Sequence, residues 1–393
     1  MFSFVFDRMV NGYPYPNLAP EINLRDGYKG LGTMYPYVIP LRLLYYAKDH
    51  SYPINISYID QPIPENAFYP IGLHFFNFDI DYFALLSPLV RHHCRTGVLK
   101  ILFYYHEGDN PHHEKDRLDE LCHRNTLPLD CYRFISGNTT ADDIDRFCFF
   151  PDHELFYWRN CKIGSEYHEE TRGKRFTMLN RVHKNWRVTV VTQLLRLGLL
   201  NDSYWSYNMV IDDPSQDLFT DNPIRIQAFK NLFMDITRFL KDAPYVSDDL
   251  SSDEHNTLSS FVSDYYTNSY CNLIIETHYD ADGSGGSFLT EKTFKPIRNA
   301  QPFILFGPPK TLHTLKELGY RTFDHVLDNT YDNETDNTKR FILSTIQVKK
   351  LTKKDIHEWF LSCRDDILHN QKLFLSSKYD RLNNLYIKLK DTQ

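Results

Sequence analysis

Three stretches of this chain concentrate the side chains that could do chemistry. The densest is Asn272–Gly307, NLIIETHYDADGSGGSFLTEKTFKPIRNAQPFILFG. A β-branched strand is expected to end at Glu276-Thr277, before a glycine-rich loop. Thr290-Glu291-Lys292 then opens a helix, and a second apolar strand closes at Gly307. Thr290 stands where an N-cap belongs, and Glu291 lies in the first turn, where the helix dipole favours a carboxylate. Lys292 and Lys295 add positive charge at that end, which suits a phosphate docked on backbone N–H groups. Glu276 and Glu291 could each accept two hydrogen bonds from a ribose diol or a sugar. The plain alternative is that Thr290 and Glu291 only cap a helix.

The second stretch is LNRVHKNWR, Leu179–Arg187. Arg181, His183, Lys184 and Arg187 crowd a strand-to-helix turn, the place where α/β domains bind phosphates. Arg187 falls one turn into the helix, within reach of a diphosphate, and such a charge-assisted contact contributes roughly 1.5–3 kcal/mol. A solvated basic turn is the plain alternative. The third stretch, His106-Glu107-Gly108-Asp109-Asn110-Pro111, ends an apolar strand. A partly buried carboxylate there has a raised pKa and suits a general base; otherwise Asp109, Asn110 and Pro111 simply make a turn.

Calcium competes for the first stretch. Asp280, Asp282, Ser284, Gly285 and Glu291 match the positions of an EF-hand loop, but NLIIETHY before them is a strand former and not an entering helix. Asp280-x-Asp282 and Asp79-Ile80-Asp81 also fit a short metal–nucleotide pattern that is common by chance. The pairs His92-His93 and His112-His113 are discounted as ligands, because adjacent side chains point apart on helix and strand alike.

These residues need elements to hold them. Strands are expected at Val98–Tyr105, Tyr132–Ile135, Phe176–Leu179, Tyr207–Ile211, Asn272–Glu276 and Pro302–Phe306. Helices are expected at Asp79–His93, Glu114–Arg124, Lys184–Leu197 with Gly198 as C-cap, Ile224–Lys241, Glu291–Ala300, Pro309–Leu318 and most of Thr338–Leu389. Residues 1–66, rich in Tyr, Pro and Asn with short apolar runs such as Tyr37–Tyr46, read as strands and loops. Strand, loop, helix, strand is the signature of a parallel sheet, so the class is α/β. The charged stretch Cys161–Lys174 is the expected boundary, giving domains 1–165 and 166–393.

Composition sets the outer bounds. The 393 residues are 42% hydrophobic and 24% charged, ordinary for a globular chain and wrong for a disordered, collagen-like or coiled-coil one. A net charge of −7 gives no global field toward nucleic acid or anionic lipid. Aromatic residues make up 15%, mostly Tyr and Phe, and core packing accounts for most of them. Seven scattered cysteines show neither metal-ligand spacing nor a disulfide framework. With no apolar run long enough to span a membrane and no signal-peptide pattern at the start, the chain reads as soluble and cytoplasmic.

The three stretches, in order along the chain, resemble the α-1,3-fucosyltransferases. IIETHY…FLTEKTFKPIRNAQPFILFG looks like their donor-binding segment, LNRVHKNWRVTVVTQLL like their diphosphate-gripping segment, and FYYHEGDNP like the strand end that carries their proposed base. The wider stretch Leu179–Arg340 is similar to a group of phage and giant-virus glycosyltransferase-like proteins, which would make the chain viral and place it in the host cytoplasm. The resemblance implies a GT-B fold, two Rossmann-like domains facing a central cleft, with C-terminal helices packing back across it. It implies an inverting glycosyltransferase with Glu107 as base and Asp109 next in line. Asn180, Arg181, Lys184, Arg187, Glu276, Thr290, Glu291, Lys292 and Lys295 would bind the donor, a GDP-sugar first and a UDP-sugar second. Cations of the protein would stabilise the leaving diphosphate, so no metal would be required. The expected acceptor is a glycan or other hydroxyl compound. A hydroxymethylated base in viral DNA is the alternative acceptor, and a non-catalytic sugar- or calcium-binding module the alternative of another class.

Overall fold

The computed structural model describes residues 1–7, 38–39, 42–73, 76–161, 164–210, 222–245, 263–280, 286–376 and 378–391. Two compact units emerge from how the chain packs. The first comprises Met1–Leu155 and Ser377–Gln393, the second Phe156–Ser376.

The first unit is built on β1 (Phe2–Phe6), β2 (Val38–Ile39), β3 (Ile54–Tyr58), β4 (Ala67–Leu73), β5 (Leu99–Tyr105), β6 (Tyr132–Ser136) and β7 (Phe147–Phe149). Their order is β3-β1-β4-β5-β6-β7, all parallel, with β2 pairing antiparallel to β4. β4 is buried along its whole length and β5 nearly so, which is why both read as unbroken apolar runs. Its helices are α1 (Arg42–Asp49), α2 (Pro88–Arg95), α3 (Pro111–Arg124), the start of α4 (Asp152–Asn160) and the terminal α13 (Tyr379–Asp391). Val5, Tyr69, Ile71, Val90, Ile101, Phe103 and Phe134 share one core.

The second unit has a four-stranded parallel sheet of β8 (Lys174–Val182), β9 (Tyr204–Val210), β10 (Ser269–Ile275) and β11 (Phe303–Phe306), in the order β11-β10-β8-β9. Around it lie α5 (Asn185–Arg196), α6 (Leu232–Asp242), α7 (Ser263–Thr267), α8 (Glu291–Arg298), α9 (Thr311–Glu317), α10 (Asn337–Leu351), α11 (Ile356–Ser362) and α12 (Arg364–Leu375). Val188, Val191 and Leu194 of α5 meet Met178, Leu273, Ile275, Phe294 and Phe306 in its core. The charged segment after Cys161 packs into this unit. Arg172 donates to the carbonyls of Tyr266 and Ser269 at 2.8 and 2.7 Å, and Ser165 N donates to Asn299 Oδ1 at 2.9 Å.

The expected α/β class is what the chain forms, with three local departures. The helix expected over Asp79–His93 starts only at Pro88, because Ser87 caps it, accepting from Val90 N at 3.2 Å, and proline suits the first turn. The helix expected over Ile224–Lys241 is broken by Asn231 at φ 65° into a short 3-10 turn, Ile226–Ala228, and α6. Within Tyr37–Tyr46 the backbone enters α1 at Arg42, burying Leu43, Leu44, Tyr46 and Ala47. Residues 8–37, the end of the strand expected at Ile211, and Asp282, Ser284 and Gly285 of the EF-hand pattern lie outside the described residues.

Candidate functional site

In open parallel sheets, ligand groups gather beyond the carboxyl ends of the strands. The second unit gathers the first two motifs there. Glu276 follows β10 with no exposed surface. Its Oε1 accepts from Thr290 N at 3.2 Å and Thr293 Oγ1 at 2.5 Å, and its Oε2 from Thr277 N at 3.0 Å and Thr290 Oγ1 at 2.6 Å. A carboxylate offers about four acceptor positions. Glu276 spends all of these on the first turn of α8 and on its own neighbour.

Thr290 is the N-cap of α8, its Oγ1 accepting from Lys292 N at 3.3 Å while donating to Glu276. Lys292 Nζ reaches Glu291 Oε1 at 2.9 Å, Thr277 Oγ1 at 3.2 Å and Thr290 Oγ1 at 3.4 Å. Lys295 is half-buried one turn on. Burial lowers its pKa, and the positive charges of Lys292 and Arg181 act in the same direction against Glu291.

Arg187 is buried one turn into α5 and joins two strand ends. It donates from Nη1 to Val182 O at 3.0 Å, and from Nη2 to Glu276 O at 3.4 Å and Thr277 Oγ1 at 3.5 Å. Trp186 Nε1 adds a bond to Glu276 O at 3.3 Å. Lys184 sits at the N-cap of α5 and Arg181 is exposed at the end of β8. Buried Asn180, opposite Tyr207 in β9, has a side-chain nitrogen that meets no partner among the described residues. Burial, with Lys184 and Arg187 alongside, lowers the pKa of His183, whose Nδ1 pairs with Tyr207 Oη at 2.5 Å. The second unit thus brings Asn180, Arg181, Lys184, Arg187, Glu276, Thr290, Glu291, Lys292 and Lys295 to one sheet edge rich in cations.

The first unit carries the third motif beyond β5. Glu107 is partly exposed, with His106 Nε2 at 3.2 Å from its Oε1, and Gly137 N holds its carbonyl at 2.9 Å. Asp109 is exposed and accepts from the Tyr105 hydroxyl. Asn138, beyond β6, donates to the carbonyls of Gly108 and Asp109 at 3.1 and 3.2 Å. Asn110 caps α3, accepting from His112 N at 3.1 Å, with Pro111 at the first helical position.

Sequence reasoning passed over several groups here. Asp152 is buried and accepts from Arg42, Tyr104 and, at 2.8 Å, Tyr46. Burial would raise its pKa, but Arg42, His106 and His153 outweigh that and hold it below the carboxylate range. Asp7, beyond β1, accepts from Tyr69, and burial pushes its pKa up to about 6. Glu114 is buried in α3, with a pKa pushed up to about 8 by burial and by Asp109. One signal did exist for Glu114: a carboxylate four residues after the capping Asn110, in the first turns of a helix.

Among the described residues no group of three or more His, Cys, Asp or Glu is placed to hold a metal ion. Asp280 follows a strand, β10, and the twelfth EF-hand position, Glu291, contacts Lys292.

No protein-family model matches the chain, and no curated protein matches it. Two solved structures align along nearly its whole length. One is T4 phage BGT in complex with UDP and Mn²⁺, at 10% identity over 99% of each chain and a TM-score of 0.38. The other is the DNA-modifying enzyme β-glucosyltransferase with and without uridine diphosphoglucose, also 10% identical, covering 99% of this chain and 100% of that one at the same TM-score. At that score the likeness carries no weight for fold or function, which rest on the residues described above. Among the described residues no helix is long and apolar enough to cross a membrane.

Proposed function

We propose that this chain is a glycosyltransferase that uses a nucleotide-sugar, with the donor bound at the carboxyl edge of the second sheet. The observation that carries the reading is the first turn of α8. Glu276 fixes that turn through Thr290 and Thr293, and Arg181, Arg187, Lys292 and Lys295 gather around it. A fixed helix N-terminus with arginines and lysines around it suits a diphosphate, whose charge grows as the sugar leaves. In this reading Arg187 and Lys292 stabilise the departing diphosphate, Asn180 and Glu291 meet donor hydroxyls or base, and Glu276 acts by holding Thr290. Lys184 and Thr290 frame the two helix starts.

Transfer is inverting and needs no metal. Glu107 takes the proton of the acceptor hydroxyl as that oxygen displaces the nucleoside diphosphate, and Asp109 is the next candidate for the base. The acceptor is a glycan or other hydroxyl compound. The fucosyltransferase resemblance favours a GDP-linked sugar over a UDP-linked one.

A thermal-shift panel with GDP, UDP, CMP and their sugars, with and without EDTA, Mn²⁺ and Ca²⁺, tests the donor site. A ligand at 100 times its Kd adds about 2.7 kcal/mol, a shift of several degrees for a chain of this size. A shift with one nucleoside diphosphate, insensitive to EDTA, is the expected result. A shift with Ca²⁺ alone, or donor turnover abolished by EDTA and restored by Mn²⁺, would count against the reading. Arg187→Ala is expected to raise the donor KM and lower kcat. Glu107→Gln is expected to keep donor binding and lose about two or more orders of magnitude in kcat. Wild-type turnover in Glu107→Gln would move the base to Asp109.

A further inference from the structure

The candidate base does not stand alone at the end of β5. His106 Nε2 lies 3.2 Å from Glu107 Oε1, within hydrogen-bond reach, yet the two side chains differ in access: 2% of His106 is exposed and 29% of Glu107. Of the two, only Glu107 can touch an acceptor, so the imidazole must act through it. His106 is backed in turn. Its ring packs against that of His153, with centroids 6.0 Å apart. His153 follows Asp152 at the start of α4, and Asp152 accepts from Tyr104 of β5 and from Tyr46 and Arg42 of α1. On the other side, Gly137 N, beyond β6, holds the Glu107 carbonyl at 2.9 Å. The backbone of Glu107 is thus fixed by one neighbour, and the ring beside its carboxylate is braced by another.

We propose that His106 is a positioning residue for Glu107: an Nε2–H donated to Oε1 holds the carboxylate in one rotamer and leaves Oε2 for the acceptor hydroxyl. This rests on the glycosyl-transfer reading above. A partly exposed glutamate samples many rotamers unless something holds it, because its side chain is among the richest in conformational freedom. A reacting group displaced by about 1 Å can lose about a hundredfold in rate. A hydrogen bond to an ionised carboxylate is stronger than one between neutral groups, and a buried, braced donor keeps its direction.

The test uses the full chain. His106→Phe fills the site without a donor, with His106→Leu as a second apolar variant should Phe impair folding. His106→Gln puts an amide Nε2 where the imidazole Nε2 stood. The apolar variant is expected to keep the donor KM and to lose about tenfold or more in kcat, with His106→Gln recovering most of that loss. A folded apolar variant that turns over like wild type overturns the proposal. So does a loss that His106→Gln does not relieve, or one that falls on the donor KM instead of kcat. Nitrogen-15 NMR of labelled histidine reads the pair without turnover. The His106 signals, assigned by their loss in His106→Gln, are expected to show a protonated Nε2 in wild type and to move in Glu107→Ala. An unprotonated Nε2, or His106 signals indifferent to Glu107→Ala, overturns the proposal whether or not the chain transfers sugar. Absence of transfer with every nucleotide-sugar, alongside the expected NMR pattern, would sink the glycosyltransferase reading and leave His106 holding Glu107.

Discussion

Glu276 accepts from three threonines, Thr277, Thr290 and Thr293, and from two backbone amides among them. Glu276→Gln turns one acceptor oxygen into a donor facing those amides and hydroxyls. Charged hydrogen bonds of this kind contribute about 1.5–3 kcal/mol, and denaturant unfolding of the variant is expected to show a loss on that scale. Spacing identified Glu276 as a strand-end acceptor, but its partners stand 14 and 17 residues away across a loop, and no local pattern links them. Thr290 and Arg187 were legible because an N-cap and a basic strand-to-helix turn are local signals. Two carboxyls should also mark the pH dependence of stability in opposite directions. Glu114 moves from an ordinary 4.5 to about 8 on folding. The folded chain therefore keeps a proton that the unfolded chain has lost, and stability falls as pH rises between those values. Asp119 moves from 3.8 to about 2, since Arg146, Lys115 and Tyr132 outweigh its burial. Its contribution is present above pH 3.8 and fades as pH falls toward 2. Unfolding free energy measured from pH 2 to 9 should thus rise and then decline, and Glu114→Gln should flatten the decline.

At the level of elements, α8 shows how one cap serves two purposes. Thr290 satisfies the amide of Lys292 and also ties the helix to the end of β10 through Glu276. Thr290→Ala removes the cap, about 1 kcal/mol, and leaves Glu276 Oε2 one donor short, a further cost of about 1–3 kcal/mol. Thr290→Ser keeps both bonds. Alanine is therefore expected to lower the melting temperature and weaken nucleotide binding together, with serine restoring both; an alanine variant indistinguishable from wild type would leave α8 held by something else. The strands β5, β6, β10 and β11 were legible as apolar runs between turn residues. β1 and β3 lie in the stretch read as strands and loops without assigned limits, and their limits come from pairing, β1 with both β3 and β4 and β3 with β1. The helices expected over Asp79–His93 and Ile224–Lys241 failed where a single residue set the boundary: the Ser87-Pro88 start in one, a left-handed Asn231 in the other.

For the whole molecule, the chain's last segment matters more than its sequence suggests. Lys378 Nζ lies 2.8 Å from Glu154 Oε1 and Arg381 Nε 3.0 Å from its Oε2, with Glu154 showing no exposed side chain. Arg381 and Glu154 are 227 residues apart, so nothing in local pattern could pair them. Breaking a buried ion pair on one side costs about 3–5 kcal/mol. Lys378→Met is therefore expected to lower the unfolding transition of the first unit in calorimetry and leave that of the second in place. One merged shift of both transitions would contradict it. Tyr379 and Tyr386 add ring contacts to Tyr52 and Phe2, so the same segment also covers part of the apolar first unit. This has a consequence for biosynthesis. Domains fold as units while the chain emerges from the ribosome, and the second unit, one continuous run from Phe156 to Ser376, is complete as soon as that run is out. The first unit is begun earlier but must wait, with Glu154 lacking its cations, until Lys378 and Arg381 have followed the second unit. Of the two units, the one begun first is the one finished last.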